Sequence, residues 1–240
     1  MKLIAYLSNG YPSLDKSSER AIEFVESGVD VIEADFPAKD PYLDSDYLKN
    51  RIFNALKNDD NYDNYMNELL DLSKKLDGVE FLINIYPETL REIGFDKFAK
   101  FMDDLGQKEI LLVGNTDPDA KKKLIEMGLK VSAFVTREMK QEDLNYASES
   151  NGFVYLEAFS YEDKNSDKYP ELKDCLKKVR ETIGPDRKIY CGVGIHNEEL
   201  LKEVKEAGAD GAFLGSIVLR KEDAGEDVSE YIRKLNKIAK

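Results

Sequence analysis

Eight short apolar runs punctuate this chain, and each is followed by a segment with apolar residues at three- and four-residue spacing. The runs are 2–6, 29–33, 80–85, 109–113, 130–135, 153–157, 188–191 and 211–214. Short, nearly continuous apolar runs read as strands buried on both faces, and the segments between them as amphipathic helices. Ala21, Phe24 and Val25 precede Gly28, while Leu200, Leu201 and Val204 precede Gly208. In both places a glycine closes the helical pattern and a strand follows at once. The same rhythm recurs around Gly128, and Pro118 opens a helix where a missing N–H is harmless. Eight strand–helix alternations predict an α/β fold of the (β/α)8 TIM barrel type, one domain over residues 1–240. A doubly wound open sheet carries the same alternation, because the pattern does not report closure.

Charge narrows the partners. With 35 basic and 48 acidic residues the net charge is −13, which repels a polyanion, so nucleic acid is not an expected partner. One small phosphate is still compatible, because backbone N–H groups at a helix start can bind it. The two cysteines, Cys175 and Cys191, have no histidine pattern near them and read as reduced thiols rather than a disulfide or zinc site. No run approaches the ~18 apolar residues of a membrane span, and no signal-peptide pattern opens the chain. A cytoplasmic protein with no membrane partner is expected. Two polar stretches interrupt the rhythm. Residues 58–65, rich in Asp and Asn, are expected to form a turn. Residues 161–168 follow the sixth strand, where a solvated loop is the plain reading and a lid the functional one.

The candidate chemistry lies around the second strand. Glu33 stands at the end of an apolar pattern, where a charge is costly unless used or paired. Pro37 breaks the strand, and Asp44 follows eleven residues after Glu33, on a loop that can fold back over the same pocket. Two carboxylates in different environments can divide acid and base work. Near the other end, Gly192 and Gly194 follow the seventh strand, and Gly215 and Ser216 follow the eighth. Glycine lets the backbone approach an anion, and loops at these two positions of a barrel often hold phosphate. His196, the only histidine, reads as a helix-start residue rather than a catalyst.

These residues carry a resemblance. The runs Leu7-Ser8-Asn9-Gly10-Tyr11-Pro12-Ser13-Leu14, Val31-Ile32-Glu33 through Asp40-Pro41-Tyr42-Leu43-Asp44, Gly192-Val193-Gly194-Ile195, and Ala209-Asp210-Gly211-Ala212 with Gly215-Ser216 have the order and spacing of the tryptophan synthase alpha subunit family. The resemblance spans nearly the whole chain, and its most specific part is the Glu-to-Asp spacing around Asp40-Pro41. It implies a barrel lyase of tryptophan biosynthesis that uses no cofactor and no metal. Such a lyase cleaves indole-3-glycerol phosphate to indole and glyceraldehyde 3-phosphate, usually bound to a beta subunit. On this resemblance Glu33 is the general acid/base and Asp44 holds the indole N–H. Gly194, Gly215 and Ser216 match the phosphate grip, Gly192 beside them is a further substrate-binding residue, Tyr155 lines the site, and Tyr6 is an aromatic floor to the indole pocket.

The chain also departs from the family pattern. Ser160-Tyr161-Glu162-Asp163-Lys164 stands where the family has a Gly-Val-Thr-Gly lid. Asp35 and Lys39 replace small residues, and Tyr11 replaces an Asp before the proline. The first strand is expected at Lys2, without the family's leading helix. Two function classes follow: an alpha-subunit-type lyase with an altered substrate or low activity, and a non-catalytic barrel that binds a phosphorylated ligand or a protein. A phosphosugar epimerase or aldolase would need catalytic Lys or metal-binding His residues on the strands, and no such set is evident.

Overall fold

The structure, a computed structural model, describes residues 1–160 and 164–240. Strands and helices alternate as β1 (Lys2–Leu7), α1 (Leu14–Glu26), β2 (Val31–Asp35), α2 (Asp46–Asn58), α3 (Tyr62–Lys75), β3 (Glu80–Ile85), α4 (Pro87–Ile93), α5 (Phe95–Asp104), β4 (Glu109–Leu112) and α6 (Pro118–Glu126). The second half continues with β5 (Lys130–Val131), β6 (Ala133–Val135), α7 (Gln141–Glu149), β7 (Val154–Glu157), α8 (Leu172–Ile183), β8 (Ile189–Gly192), α9 (Glu198–Ala207), β9 (Gly211–Leu214), α10 (Ser216–Asp223) and α11 (Val228–Ala239). Local chemistry sets the helix ends. Ser13 accepts from the Lys16 N–H at the start of α1, Asn197 from the Leu200 N–H at the start of α9, and Gly208 closes α9 in the left-handed conformation at φ +94°.

Among the described residues nine strands run parallel in one sheet, in the order β5-β4-β3-β2-β1-β9-β8-β7-β6. The two outer members are consecutive in the chain and separated only by Ser132. They are one broken strand: its first part pairs with β4 and its second with β7, so the sheet closes into a nearly complete ring. The Ser132 N–H donates to Ile110 O (3.0 Å) and the Ala133 N–H to Phe153 O (3.1 Å) across this seam. Two asparagine side chains stand in for missing ladder bonds. The Asn115 amide accepts from Phe134 N (3.3 Å) and donates to Phe134 O (2.9 Å). The Asn151 amide accepts from Val131 N (2.8 Å) and donates to Leu129 O (2.9 Å). The expected single strand over 130–135 is thus split, which an apolar run does not reveal.

Strand alternation divides the core in two. Leu3, Ala5, Leu7, Ile32, Ala34 and Ile83 face outward and pack with helix residues such as Phe24, Leu69 and Phe98. Ile4, Val31, Leu82, Phe153 and Phe213 fill the inside of the ring, joined by Leu111, Tyr155 and Tyr190. By the same parity Tyr6, Glu33, Asp35 and Asn84 face inward above this plug, at the C-terminal mouth.

Two sequence readings change. The second strand is Val31–Asp35, displaced by two residues, because the Val29 N–H still donates to Phe24 O at the end of α1. The expected turn over 58–65 shrinks to 59–61, since Tyr62 and Tyr65 are buried in α3 despite their polar neighbours. Tyr161, Glu162 and Asp163 of the expected lid lie outside the described residues. Beyond them, the Ser166 N–H donates to Arg137 O (2.9 Å). Among the described residues, no helix is long and apolar enough to cross a membrane.

Candidate active site

Strand β2 delivers two carboxyls to the mouth rather than one. Glu33 sits mid-strand and Asp35 ends it, two residues apart and therefore on the same inner face; each is only 5% exposed. Glu33 lies opposite Tyr6 in the β1 register and accepts a hydrogen bond from Asn84 Nδ2 (3.0 Å) on β3. Asp35 accepts from the Tyr6 hydroxyl (2.9 Å) and from the Asn9 N–H (2.7 Å). Asp44, half-buried on the loop after β2, accepts from the Tyr86 hydroxyl (2.6 Å), which also receives the Leu43 N–H (3.3 Å).

Burial governs the electrostatics. Loss of water pushes the Glu33 carboxyl up to about 8, against the lowering effect of Asn84, and the nearby Asp35 and Asp44 push it further. Burial likewise pushes Asp35 up to about 7, opposed by the Asn9 and Tyr6 hydrogen bonds. Asp44 is raised too, mainly by burial, against Tyr86 and Lys49. The Tyr6 phenol is held well above its ordinary value by burial and by Asp35. The shift favours the protonated form of Glu33 near neutral pH. A separate cleft of about 630 Å³ lies outside the ring, where Arg137, Phe159 and Pro170 meet α8 and α9, and none of these three carboxyls lines it.

The opposite rim is built by β8 and β9. Tyr155 points inward from β7 and stacks on Phe213, with centroids 4.3 Å apart and an interplanar angle of 9°. Gly192 makes this possible: a Cβ there would meet the Tyr155 hydroxyl oxygen at 2.1 Å. Its glycine identity is thus explained by the ring it seats. The next two residues both adopt positive φ, Val193 at +64° and Gly194 at +75°. Such a conformation is strained for the β-branched Val193. A Cβ on Gly194 would come within 2.7 Å of Phe159 Cβ, so packing also demands glycine. His196 is exposed and its Nδ1 lies 2.7 Å from Gly194 O, bracing the turn from outside the mouth.

Gly215 and Ser216 begin α10 directly after β9. No side chain caps this helix, whereas the neighbouring α9 is capped by Asn197. Uncapped first-turn N–H groups and the positive end of the helix dipole make an anion seat. A Cβ on Gly215 would meet nothing within 4 Å, leaving open space beside the helix start.

Glu33, Asp44 and Tyr6 are thus gathered at one side of the mouth. Tyr155 lies across the ring, and Gly194, Gly215 and Ser216 lie at the ends of the last two strands. Sequence reasoning missed Asn84 and Tyr86 as partners of the two acids, and treated Asp35 as a departure rather than a mouth residue. A polar Asn within the apolar run 80–85 was the available signal for the first. Nothing local marks Tyr86.

Comparison with known proteins agrees with the barrel fold. The family model described as tryptophan synthase alpha chain matches residues 1–240. The tryptophan synthase alpha chain of Caldicellulosiruptor saccharolyticus is 27% identical over 245 residues, covering 98% of this chain and 92% of its own. Among solved structures, the alpha subunit from Legionella pneumophila superposes with a TM-score of 0.82 at 20% identity, covering 99% of this chain and 92% of the other. A chain of the tryptophan synthase complex from Pyrococcus furiosus gives 0.79 at 20% identity, covering 99% and 97%. With the whole length matched by one family model, this chain belongs to the tryptophan synthase alpha chain family.

Proposed function

We propose that this chain is a carbon–carbon lyase that cleaves indole-3-glycerol phosphate, or a close relative of it, to an indole and glyceraldehyde 3-phosphate without a cofactor. The observation that carries the proposal is the Glu33 carboxyl, buried in the mouth of a barrel of this family and pushed up to about 8 by that burial, with Asp44 beside it. Glu33 delivers its proton to the ring carbon that bears the glycerol chain. The carboxylate left behind takes the proton of the adjacent side-chain hydroxyl. The electrons of the breaking carbon–carbon bond return to the ring, and the freed oxygen becomes the aldehyde. Proton gain and loss at Glu33 balance over the cycle. Asp44 accepts the ring N–H, and Tyr6 and Tyr155 line the pocket. Gly194, Gly215 and Ser216 hold the phosphate, while Gly192 shapes the wall by admitting Tyr155.

Residues 1–240 act as one barrel domain in this reading, supported by the single sheet. The partner is a tryptophan synthase beta subunit. Tyr42 and Leu43, exposed apolar residues next to Asp44, give it an edge to cover, so docking would act directly on the catalytic loop. Two free, buried cysteines suit a cytoplasmic setting. The deciding experiment measures indole release with and without a beta subunit. Glu33→Gln keeps the side-chain shape and removes the proton, and should lower kcat by about 10²–10⁴-fold while the chain stays folded. Full activity in the variant would end the acid/base assignment.

A further inference from the structure

The inner wall beside Glu33 is more polar than an indole ring requires. Asp35 ends β2 on the same face as Glu33, and Tyr6 stands opposite Glu33 on β1. The two are joined by a 2.9 Å hydrogen bond, with the phenol donating, and the Asn9 N–H holds the other Asp35 oxygen at 2.7 Å. A carboxyl oxygen accepts up to two hydrogen bonds, so Asp35 retains acceptor capacity. Asn9 itself is 1% exposed, and its side-chain Nδ2 has no hydrogen-bond partner among the described residues. A buried donor left unmet is costly, and a carbon ring edge can neither accept from Asn9 nor donate to Asp35. A hydroxyl meets both kinds, since it donates through its hydrogen and accepts through its oxygen.

We propose that Asp35, seated by Tyr6 and Asn9, reads a hydroxyl group on the aromatic ring of the substrate. The substrate class is thus a ring-hydroxylated indole-3-glycerol phosphate rather than the unsubstituted compound. This rests on the lyase reading of the same site. A site built to hydrogen-bond a hydroxyl discriminates strongly against the analogue that lacks it.

The test is equilibrium binding by calorimetry, which needs no turnover. The ligands are indole and 4-, 5-, 6- and 7-hydroxyindole; the proteins are the unmodified chain, Asp35→Ala and Tyr6→Phe. At least one hydroxyindole should bind the unmodified chain tenfold or more tighter than indole. Asp35→Ala should cut that advantage below threefold. Tyr6→Phe, which keeps the ring and removes only the donor that seats Asp35, should cut it at least threefold and covers the case in which the alanine variant does not fold. Equal binding of indole and every hydroxyindole overturns the proposal, as does no binding of any of the five at millimolar concentration. An advantage that survives in every folded variant overturns it too. A hydroxyindole preference without cleavage of any glycerol phosphate would sink the lyase reading and keep the pair. Cleavage of indole-3-glycerol phosphate with no binding preference would do the reverse.

Discussion

The Glu33 carboxyl lies where ionisation is expensive, and that cost reaches the stability of the whole chain. In the unfolded chain a glutamate titrates near 4.5, while in the mouth burial holds Glu33 at about 8. Between those values the folded protein keeps a proton that the unfolded chain releases. Stability from this group is therefore fully present below about 4.5 and lost progressively as pH rises towards 8. Asp35 adds the same sign over a window from 3.8 to about 7. Glu33→Gln removes the titration and should melt higher than the unmodified chain, by several degrees more at pH 8.5 than at pH 6. Thermal melts at the two pH values check this, and an equal difference at both would mean that Glu33 ionises freely. On the proposed function, Glu33→Gln gains stability where it loses catalysis.

At the level of single elements, α10 carries the proposed phosphate seat. Its start is uncapped beside Gly215, and its far end is clamped by Arg51, whose guanidinium donates to Asp223 (2.9 Å) and lies 4.1 Å above the Tyr11 ring. Inorganic phosphate at ten times its Kd should stabilise the chain by about 1.4 kcal/mol, or roughly 3–6 °C in Tm. Gly215→Asp should fold normally, because a Cβ there meets open space, yet lose the phosphate effect by charge repulsion. No phosphate-dependent shift in the unmodified chain would remove the anion seat. The glycines at the ends of the last two strands were legible in sequence, since they need only local reading. Glu33 was legible as a candidate because a carboxylate interrupts an apolar pattern, and Asp44 through its spacing from Glu33 on the loop after Pro37. Asn84 and Tyr86 were not, because they become partners only through the pairing of β2 with β3. The true start of β2 was hidden as well. Val29 is apolar enough to look like strand, yet its N–H belongs to the end of α1.

For the whole molecule, the weak place is the seam between β5 and β6. The broken strand follows from chain geometry across the ring, so no local composition signals it. The Asn115 and Asn151 amides bridge the gap with two bonds each. Removing either leaves backbone groups unpaired at roughly 1–3 kcal/mol. Asn115→Ala and Asn151→Ala should each lower Tm, by roughly 2–4 °C per kcal/mol for a chain of this size, as scanning calorimetry would register. An unchanged Tm in both would mean that the seam carries no load. The other joint of the ring has a consequence of a different kind. β1 pairs with β9, Lys2 opposite Gly211, so β1 is completed by a strand made long after it. At ribosomal speed the interval is on the order of 10–40 s. During it, the row of unpaired N–H and C=O groups along β1 is an open template for other chains. How much of this protein reaches its native form is then set during synthesis, by what shields that edge until its partner emerges.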